Sequence, residues 1–522
     1  MTDARPAERR SRFRPPPSGL IALWLALLVL VIAGLRAQAV QDQADPRVAS
    51  QDTAVASPPG VAVPSPAGQA ADALARARAD IDTPWHERAI SVLGMAFLVF
   101  LAWLMSVDRS RFPTRIVLWG AALQLAFALL ILRTAPGEQF FALVNDAFIQ
   151  LLGYTQDGAR FIFGNLVNNN IPVGIPVGEP AATAPLDPAT PPRYAAAGSY
   201  FAFTVLPTII FFSSLMTVLY YLKVMQFVVK GVAWVMQRTL GTSGAETLSA
   251  SGNIFVGQTE APLMIKPFVE RMTMSELHCV MTAGFATVAG GVMAAYVGML
   301  VAYFPDIAGH LLAASVMSAP AAILISKVMY PEDGEPETKG TLKADIPSPD
   351  VNVIGAAARG AGEGLTLALN VGAMLLAFIA LIALANGLIG WVGGQLGAGN
   401  LSLELILGWV LAPLAWLMGV PWKDAVPIGS LLGVKTVVNE FVAYLQLASS
   451  LQQGAPLDPR SVVIATYALC GFANFSSIAI QIGGIGGMAP ERRADLSRLG
   501  LRAMVAGSLA SFQTATIAGM LI

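Results

Sequence analysis

The sequence predicts an all-α polytopic membrane protein. Of its 522 residues, 55% are hydrophobic and only 12% are charged, and the mean hydropathy is +0.62. Apolar runs long enough to cross a bilayer recur along the chain. The formal net charge is −1 and no large basic segment is present, so we expect no nucleic-acid partner. Cys279 and Cys470 lie far apart in apolar surroundings, which indicates two reduced, buried thiols and no disulfide framework.

Residues 1–88 are predicted to form a separate N-terminal segment. The arginine-rich start "RPAERRSRFR" precedes an apolar run at residues 20–35, and Ala37-Gln38-Ala39 has the small-x-small form of a signal-peptidase site. The run is therefore either an extra retained helix or a cleaved signal peptide. In both cases the positive-inside rule places the arginines in the cytoplasm. The Ala-, Asp- and Pro-rich stretch that follows, to about residue 84, predicts a disordered periplasmic tether.

Eight apolar runs within residues 89–522 predict the transmembrane helices of a core. They cover residues 89–105, 116–132, 201–222, 278–304, 308–329, 366–392, 461–484 and 499–522. With these spans, the basic clusters around Arg109, Lys223, Lys327 and Arg492 all fall on one side, which the positive-inside rule identifies as cytoplasmic. An amphipathic stretch at 137–153 predicts an interfacial helix with Asn145 on its polar face. The Pro- and Gly-rich residues 172–192 predict an exposed loop.

Two segments are too polar for lipid-facing helices and too apolar for loops. They are residues 241–268, "GTSGAETLSASGNIFVGQTEAPLMIKPF", and residues 420–446, "VPWKDAVPIGSLLGVKTVVNEFVAYLQ". Each predicts a re-entrant hairpin, because unwound backbone at membrane depth is tolerated only where protein or a water-filled cavity meets its polar groups. The first tip is predicted near residues 255–259.

Each broken segment is followed by an apolar run with a small, polar centre. These centres are "GFATVAGG" from Gly284 and "GFANFSSIAIQIGG" from Gly471. Paired broken segments in two halves of a chain point to the binding site of a secondary transporter near the bilayer midplane. On the pattern alone, a channel and a membrane-embedded enzyme stay open as alternatives.

Some residues in these segments have plainer interpretations. Glu440 could form a structural ion pair with Lys435. His278 and Cys279 have no further His or Cys nearby, so no metal site is predicted there. Ser477 lacks a Gly-x-Ser-x-Gly context and an obvious general base, which argues against a hydrolase. We therefore expect no catalytic residues and no enzyme activity.

Three motifs closely resemble the concentrative nucleoside transporter family in its bacterial, sodium-coupled form. They are "GNIFVGQTEAPL", "VNEFVAY" and "CGFANFSSIAI", and the resemblance extends from about residue 89 to the end of the chain. It implies about eight core helices, two oppositely oriented re-entrant hairpins and a homotrimer in a bacterial inner membrane. It also implies a scaffold part (residues 89–240 and 366–392) and a mobile transport part (residues 241–330 and 420–522). The N-terminal segment and the loop at 172–192 depart from the family's compact bacterial pattern.

The same resemblance implies which residues bind the substrate. Those carried over to the nucleobase are Gln258, Thr259 and Glu260, those for the ribose hydroxyls are Glu440, Asn474 and Ser477, and those that pack against the substrate are Val292 and Phe472. The chemistry agrees, because one carboxylate accepts from two vicinal hydroxyls while an amide and a hydroxyl satisfy what remains. A sugar without these hydroxyls would leave buried groups unpaired, at about 1–3 kcal/mol each.

The coupling ion is predicted to be sodium. The resemblance carries a sodium site onto Asn253, Val256, Thr287 and Val288. Sodium prefers oxygen ligands, and unwound backbone supplies carbonyl oxygens without adding another full charge at membrane depth. Thr287 is a departure, because sodium-coupled relatives often have Ser there. A proton-coupled transporter is the alternative, since a carboxylate such as Glu260 can carry a proton. We thus expect sodium-coupled nucleoside import by alternating access, with no other cofactor.

Overall fold

The computed structural model describes residues 83–167, 170–172, 194–196, 201–340, 350–395, 397–398, 400–454 and 456–522. The predicted signal peptide or extra helix, the tether before residue 83 and most of the predicted loop at 172–192 lie outside these residues. Across the described residues the chain is helical apart from one antiparallel pair of short strands, β1 (Asn170–Pro172) and β2 (Tyr194–Ala196). The predicted all-α membrane class is confirmed.

The helices fall into long apolar elements and shorter pieces around breaks in the chain. In order they are α1 (Trp85–Leu104), α2 (Thr114–Arg133), α3 (Ala135–Phe163), α4 (Phe201–Thr204), α5 (Leu206–Tyr221), α6 (Val224–Leu240), α7 (Gly244–Gly252), α8 (Lys266–Val269), α9 (Met274–Ala286), α10 (Gly290–Leu300), α11 (Ile307–Met329), α12 (Val353–Gln395), α13 (Leu403–Leu417), α14 (Trp422–Val437), α15 (Glu440–Gln452), α16 (Pro459–Leu469), α17 (Phe475–Met488) and α18 (Arg493–Leu521). Short 3₁₀ turns lie at Gly164–Val167, Ala261–Ile265 and Pro490–Arg492.

Seven membrane-crossing elements stand out in the described residues by length and hydropathy. They are α1, α2, α4 with α5, α9 with α10, α11, α12 and α18. The pair α13 and α14 passes the same test together but bends by 118° between the two helices. The span predicted at residues 461–484 is wrong as one helix, because α16 and α17 are separated by non-helical residues 470–474.

The most deeply buried helices are those close to the breaks in the chain. About nine-tenths of the apolar window is buried in α9 with α10 (94%) and in α11 (89%), whereas α12 buries only 11%. The helix α12 packs on α5 through Gly360 and Gly364, where a Cβ atom would lie 2.5 Å from the Thr217 hydroxyl and 2.8 Å from the Ile210 Cα. This small-xxx-small spacing lets the two backbones approach closely. The division into scaffold and transport parts stays a prediction.

The predicted interfacial helix forms as α3 but is longer than the sequence suggests. Thr134 caps it by accepting from the Gly137 amide, and it continues to Phe163. The placement of Asn145 on a solvated face is wrong, since this side chain is buried. Asn145 lies one turn before Phe148, whose ring stacks on Phe212 of α5 with centroids 5.5 Å apart. Residues three apart share a helix face, which places Asn145 on the side of α3 that meets α5.

A buried ion-pair network joins the base of the first broken segment to α11. Lys327 Nζ lies 2.7 Å from Glu246 Oε2 and 3.0 Å from Glu332 Oε2, and it donates to the Ser275 hydroxyl at 3.0 Å. Lys327 is only 2% exposed, so it is a buried member of the basic cluster, and the side of the membrane on which it lies stays a prediction. Ser243 and Glu246 also form a capping box that starts α7. A buried lysine is stable when carboxylates and hydroxyls surround it in this way.

Candidate functional site

The first broken segment is not helical around its predicted tip. The helix α7 ends at Gly252, and no regular helix forms until the 3₁₀ turn that begins at Ala261. The Gly290 amide at the start of α10 donates to the Phe255 carbonyl at 2.9 Å. The unwound residues 253–260 therefore lie directly against the gap between α9 and α10.

The second half of the chain contains two comparable breaks. Between α14 and α15, Asn439 is extended and caps α15 by accepting from the Val442 amide at 2.9 Å. Between α16 and α17, Gly471 has a φ of +145°, a conformation that glycine adopts without steric cost. Asn474 then caps α17 by accepting from the Ser477 amide at 2.9 Å.

The breaks of the two halves meet in the interior of the protein. A Cβ atom on Gly471 would lie 2.8 Å from the Phe285 carbonyl oxygen and 2.7 Å from the Ser511 hydroxyl of α18. Ser511 in turn donates to the Ala286 carbonyl, the last residue of α9, at 3.3 Å. The end of α9 and the gap after α16 are thus in contact, which concentrates backbone polar groups and helix ends at one buried place.

A carboxylate cluster forms where α10, α15 and α17 come together. Glu440 Oε1 accepts from the Tyr296 hydroxyl and Oε2 accepts from Asn474 Nδ2, both at 2.9 Å. Glu440 is 5% exposed, and the Tyr296 ring stacks on Tyr444 with centroids 4.4 Å apart. Neither tyrosine is predicted from the sequence. Tyr444 had a signal, because it lies four residues after Glu440 and so on the same face of α15.

The interpretation of Glu440 as a partner of Lys435 fails. Lys435 Nζ donates to the Ala468 carbonyl near the end of α16 at 2.7 Å and lies 5.5 Å from the Phe512 ring centroid. Carbonyls at a helix C-terminus carry partial negative charge, which stabilises an ammonium group. The direct partners of Glu440 are therefore its two neutral hydrogen-bond donors, Tyr296 and Asn474.

An amide cluster connects the first tip with α17. Gln258 Nε2 donates to the Ser477 hydroxyl at 3.2 Å, and Gln258 Oε1 accepts from Gln481 Nε2 at 3.0 Å. Gln481 Nε2 also donates to the Met281 carbonyl at 3.1 Å, and the Gln481 side chain is fully buried. A Cβ atom on Gly284 would lie 2.8 Å from Gln481 Nε2, so only glycine leaves room here. Gln481 was missed, although it follows Ser477 by four residues.

The other predicted substrate residues lie on the same elements or in the same breaks as the residues of these two clusters. Thr259 lies against Gly484 of α17, where a Cβ atom would be 2.4 Å from the Thr259 Cγ2. Val292 is buried in the first turn of α10, and Phe472 lies partly buried in the gap before α17. Glu260 does not join the amide cluster and instead lines a neighbouring cavity.

That cavity has a volume of about 590 Å³ and separates the first tip from α5 and α12. Its polar lining includes Glu260, Tyr220, Arg359 and Glu363. Arg359 is held by ion pairs of 2.7 Å with Asp350 and with Glu363. The cavity therefore places charged and polar side chains beside the tip.

The predicted ion ligands lie at the ends of two helices. Asn253 follows the end of α7, and its side chain donates through Nδ2 to the Ser249 carbonyl at 3.1 Å. Its Oδ1 atom is fully buried and has no hydrogen-bond partner among the described residues. Thr287 follows the end of α9, and Val288 is buried next to it. Each of these helix C-termini is favourable for a cation, and the unpartnered Asn253 oxygen adds an acceptor beside the first of them.

Three family profiles match successive parts of the chain. "Na+ dependent nucleoside transporter N-terminus" matches residues 93–166, "Nucleoside recognition" matches residues 202–303, and "Na+ dependent nucleoside transporter C-terminus" matches residues 310–519. Together they include every predicted site residue.

Individual proteins match over most of the chain. An uncharacterized transporter of Haemophilus influenzae is 46% identical over 83% of this chain and 97% of its own length. Solute carrier family 28 member 3 of Eptatretus stoutii is 40% identical over 83% of this chain, and the match spans 60% of that protein. The solved structure of CNTnw in an inward-facing substrate-bound state has 42% identity and a TM-score of 0.72, covering 83% of this chain and 97% of that one. A CNTnw variant in an outward-facing state has 42% identity and a TM-score of 0.75, covering 84% and 98%.

Proposed function

The chain belongs to the Na⁺-dependent nucleoside transporter family, and from that membership we propose which of its residues bind the nucleoside and the sodium ion. It is a multi-pass membrane transporter that couples nucleoside import to sodium by alternating access, and it is not an enzyme. The observation that supports the assignment of residues best is the convergence of Glu440, Asn474, Ser477 and Gln258 on the contacting breaks.

Glu440 is proposed to bind the ribose hydroxyls. Each of its oxygens already accepts one hydrogen bond, from Tyr296 and from Asn474, so the carboxylate is held in one orientation. A carboxylate has about four lone-pair sites, which leaves acceptors for two vicinal hydroxyls. Because these donors are neutral, the charge of Glu440 stays available to strengthen the hydrogen bonds to the sugar.

The first tip is proposed to bind the nucleobase. A chain of hydrogen bonds runs from Glu440 through Asn474 and Ser477 to Gln258, so Gln258 lies at the end away from the carboxylate. Thr259 follows Gln258 in the same tip. An amide and a hydroxyl offer both donors and acceptors to the edge of a base. Glu260, in the cavity beside the tip, is proposed to hydrogen-bond the base directly or through a water molecule that hydrates the base. Val292 and Phe472 are proposed to pack against the rings of the substrate.

Sodium is proposed to bind Asn253 and Thr287 through their side-chain oxygens and Val256 and Val288 through their carbonyls. The unpartnered Asn253 Oδ1 supports this, because a buried acceptor is costly unless a cation, a donor or water meets it. Asn253 and Gln258 belong to the same unwound stretch. An ion that orders residues 253–260 also orders the nucleobase side, and by linkage the nucleoside raises the affinity for the ion.

The transporter is proposed to work as a homotrimer in a bacterial inner membrane. The helix α12 leaves large apolar side chains uncovered by its own chain, including Leu369, Leu376, Leu384, Leu388 and Trp391. Lipid can cover part of this surface, and neighbouring protomers are proposed to cover the rest.

Uptake into proteoliposomes tests the sodium assignment. We expect the purified protein to accumulate unmodified radiolabelled uridine under an inward sodium gradient, with Asn253→Ala raising the half-saturating sodium concentration tenfold or more (~1.4 kcal/mol). Ser110→Ala, in an exposed loop, is the control and should leave it unchanged. Equal uptake driven by a pH gradient without sodium, and indifferent to Asn253→Ala, would favour a proton-coupled transporter.

A further inference from the structure

We propose that Gln481 is a positioning residue that fixes the hydrogen-bond direction of the nucleobase site and thereby selects among bases. This proposal rests on the proposed function, because it needs Gln258 and Ser477 to face the substrate. Gln481 is fully buried on α17 and contacts the tip of the first broken segment through its amide.

The direction of the amide cluster is set by one backbone group. The Met281 carbonyl can only accept, so the Gln481 atom 3.1 Å from it must be the NH₂ group. Reversing the Gln481 amide would place two oxygens against each other. The same Gln481 NH₂ lies 3.0 Å from Gln258, so the Gln258 atom that it meets must be the carbonyl oxygen.

The orientation of the Gln258 amide in turn determines which group of Gln258 meets Ser477. With its oxygen held by Gln481, Gln258 turns its NH₂ group toward the Ser477 hydroxyl, which accepts at 3.2 Å. The Gln258 NH₂ keeps a second hydrogen, and Ser477 keeps its own hydroxyl hydrogen, because its oxygen is the acceptor in this contact. The Gln258 NH₂ group therefore has a hydrogen available for the base, and the Ser477 hydroxyl has one available for the ribose.

A base edge with an acceptor fits such a site better than one with a donor. Uracil carries an N3–H donor and a C4 carbonyl, whereas cytosine carries an unprotonated N3 and a C4 amino group. In the proposed arrangement the C4 substituent of the base meets the Gln258 NH₂ group. At this position the Gln258 N–H group favours the carbonyl, because two facing donors leave both unpaired. We therefore expect the wild-type protein to prefer uridine to cytidine, and we assign that preference to Gln481 acting through Gln258.

Replacing Gln481 separates this role from general packing. Gln481→Met keeps the length of the side chain but releases the Gln258 amide, which can then turn either its oxygen or its nitrogen toward the base. We expect the ratio of kcat/KM for uridine to that for cytidine to fall about fivefold or more, chiefly through better use of cytidine. The half-saturating sodium concentration should shift far less than in Asn253→Ala, because Gln481 donates to Gln258 and to the Met281 carbonyl and to none of the proposed ion ligands.

Gln481→Glu makes a stronger test. A carboxylate cannot donate to Gln258, so the Gln258 amide should reverse and present its oxygen toward Ser477. The preference should then move further toward cytidine than in Gln481→Met.

Gln513→Met is the matched control, since Gln513 is also a fully buried glutamine in a long helix and neither of its amide atoms has a partner among the described residues. Its base preference should equal that of the wild type.

The outcomes are separable. If the wild-type protein shows no sodium-driven uptake of either nucleoside, the proposed function itself fails. If uptake is normal and Gln481→Met keeps the wild-type uridine-to-cytidine ratio within twofold, the positioning role is wrong. If Gln481→Met does not accumulate, Gln481→Leu replaces it. Failure of both variants to accumulate, while Gln513→Met accumulates normally, would make Gln481 a structural residue only and would also overturn the proposal.

Discussion

At the scale of single residues, the sharpest prediction concerns Glu440. In Glu440→Gln one of the two oxygens becomes an NH₂ group facing Tyr296 or Asn474, both of which donate to the carboxylate. We expect uptake to fall at least tenfold, because a hydrogen-bond donor is opposed and the charge that binds the ribose is lost. Uptake in proteoliposomes measures this, with size-exclusion chromatography to check assembly.

The control for that variant is Glu335→Gln, in an exposed part of the loop after α11. Its uptake should match the wild type. Wild-type transport by Glu440→Gln would remove Glu440 from the substrate site and would leave its buried hydrogen bonds as a purely structural feature.

The sequence identified the residues that lie within motifs but missed those that reach the site from elsewhere. Glu440, Asn474 and Ser477 stand in short, recognisable strings. Tyr296 lies on α10, far from "VNEFVAY" in the chain, and nothing in its local pattern distinguishes it from a packing residue. Gln481 was visible as a polar residue in an apolar helix, yet its role depends on the Met281 carbonyl, which only the folded chain brings near.

At the scale of helices, Lys327 is predicted to be a major contributor to stability. Lys327→Met removes the buried cation and leaves Glu246 and Glu332 facing each other without compensation. Breaking a buried ion pair by removing one partner costs about 3–5 kcal/mol. Thermal or denaturant unfolding in detergent should show this loss, and adding Glu246→Gln to Lys327→Met should restore part of it.

A surface pair on the same molecule provides the comparison. Lys423 lies 3.3 Å from Asp458, and its side chain is 62% exposed. Exposed ion pairs contribute about 0–1 kcal/mol, so Lys423→Met should unfold close to the wild type. An equally small effect at Lys327 would mean that the network does not hold the base of the first broken segment to α11.

Gly471 is a glycine at which a side chain is expected to be poorly tolerated. Its φ of +145° strains any L-residue, and a Cβ atom would lie 2.7–3.0 Å from atoms of Ser511, Phe285 and Ala286. Gly471→Ala should therefore reduce the yield of folded protein and the unfolding temperature. Gly454 has a φ of +71° but open space around its Cβ direction, so Gly454→Ala carries backbone strain without the clash. Equal stability of the two variants would contradict the close contact of the breaks.

The helices themselves were largely predictable, whereas their breaks were predictable only in part. Long apolar runs specified α1, α2, α5, α11 and α18, because bilayer thickness constrains length and hydropathy together. The run at residues 461–484 looked continuous by the same measure. Its interruption depends on the positive φ of Gly471 and on Asn474 capping α17. Single residues of this kind do not show in a hydropathy value that is averaged over a whole apolar window.

At the scale of the whole molecule, α12 leads to a prediction about assembly. Its 43 residues span roughly 65 Å at 1.5 Å per residue, about twice the hydrocarbon thickness of a bilayer. Native mass spectrometry from lipid nanodiscs should find a trimer. We expect Leu376→Arg, at a side chain that is 77% exposed, to weaken assembly if this face meets a neighbouring protomer. A monomer in the wild-type sample would contradict the homotrimer directly.

The burial of α11 also has a consequence for the synthesis of the protein. Its apolar window has a mean hydropathy of 1.8 although 89% of that window is covered by other parts of the chain. One of its covering partners, α18, begins only at Arg493, so at about 5–20 residues per second the ribosome delivers that partner roughly 10–30 s later. During this interval α11 has to persist in the membrane without its final neighbours, with Lys327 near its end. The helix is therefore required to be stable twice, first among lipids in the nascent chain and then inside the finished transporter, and its apolar sequence satisfies the earlier requirement.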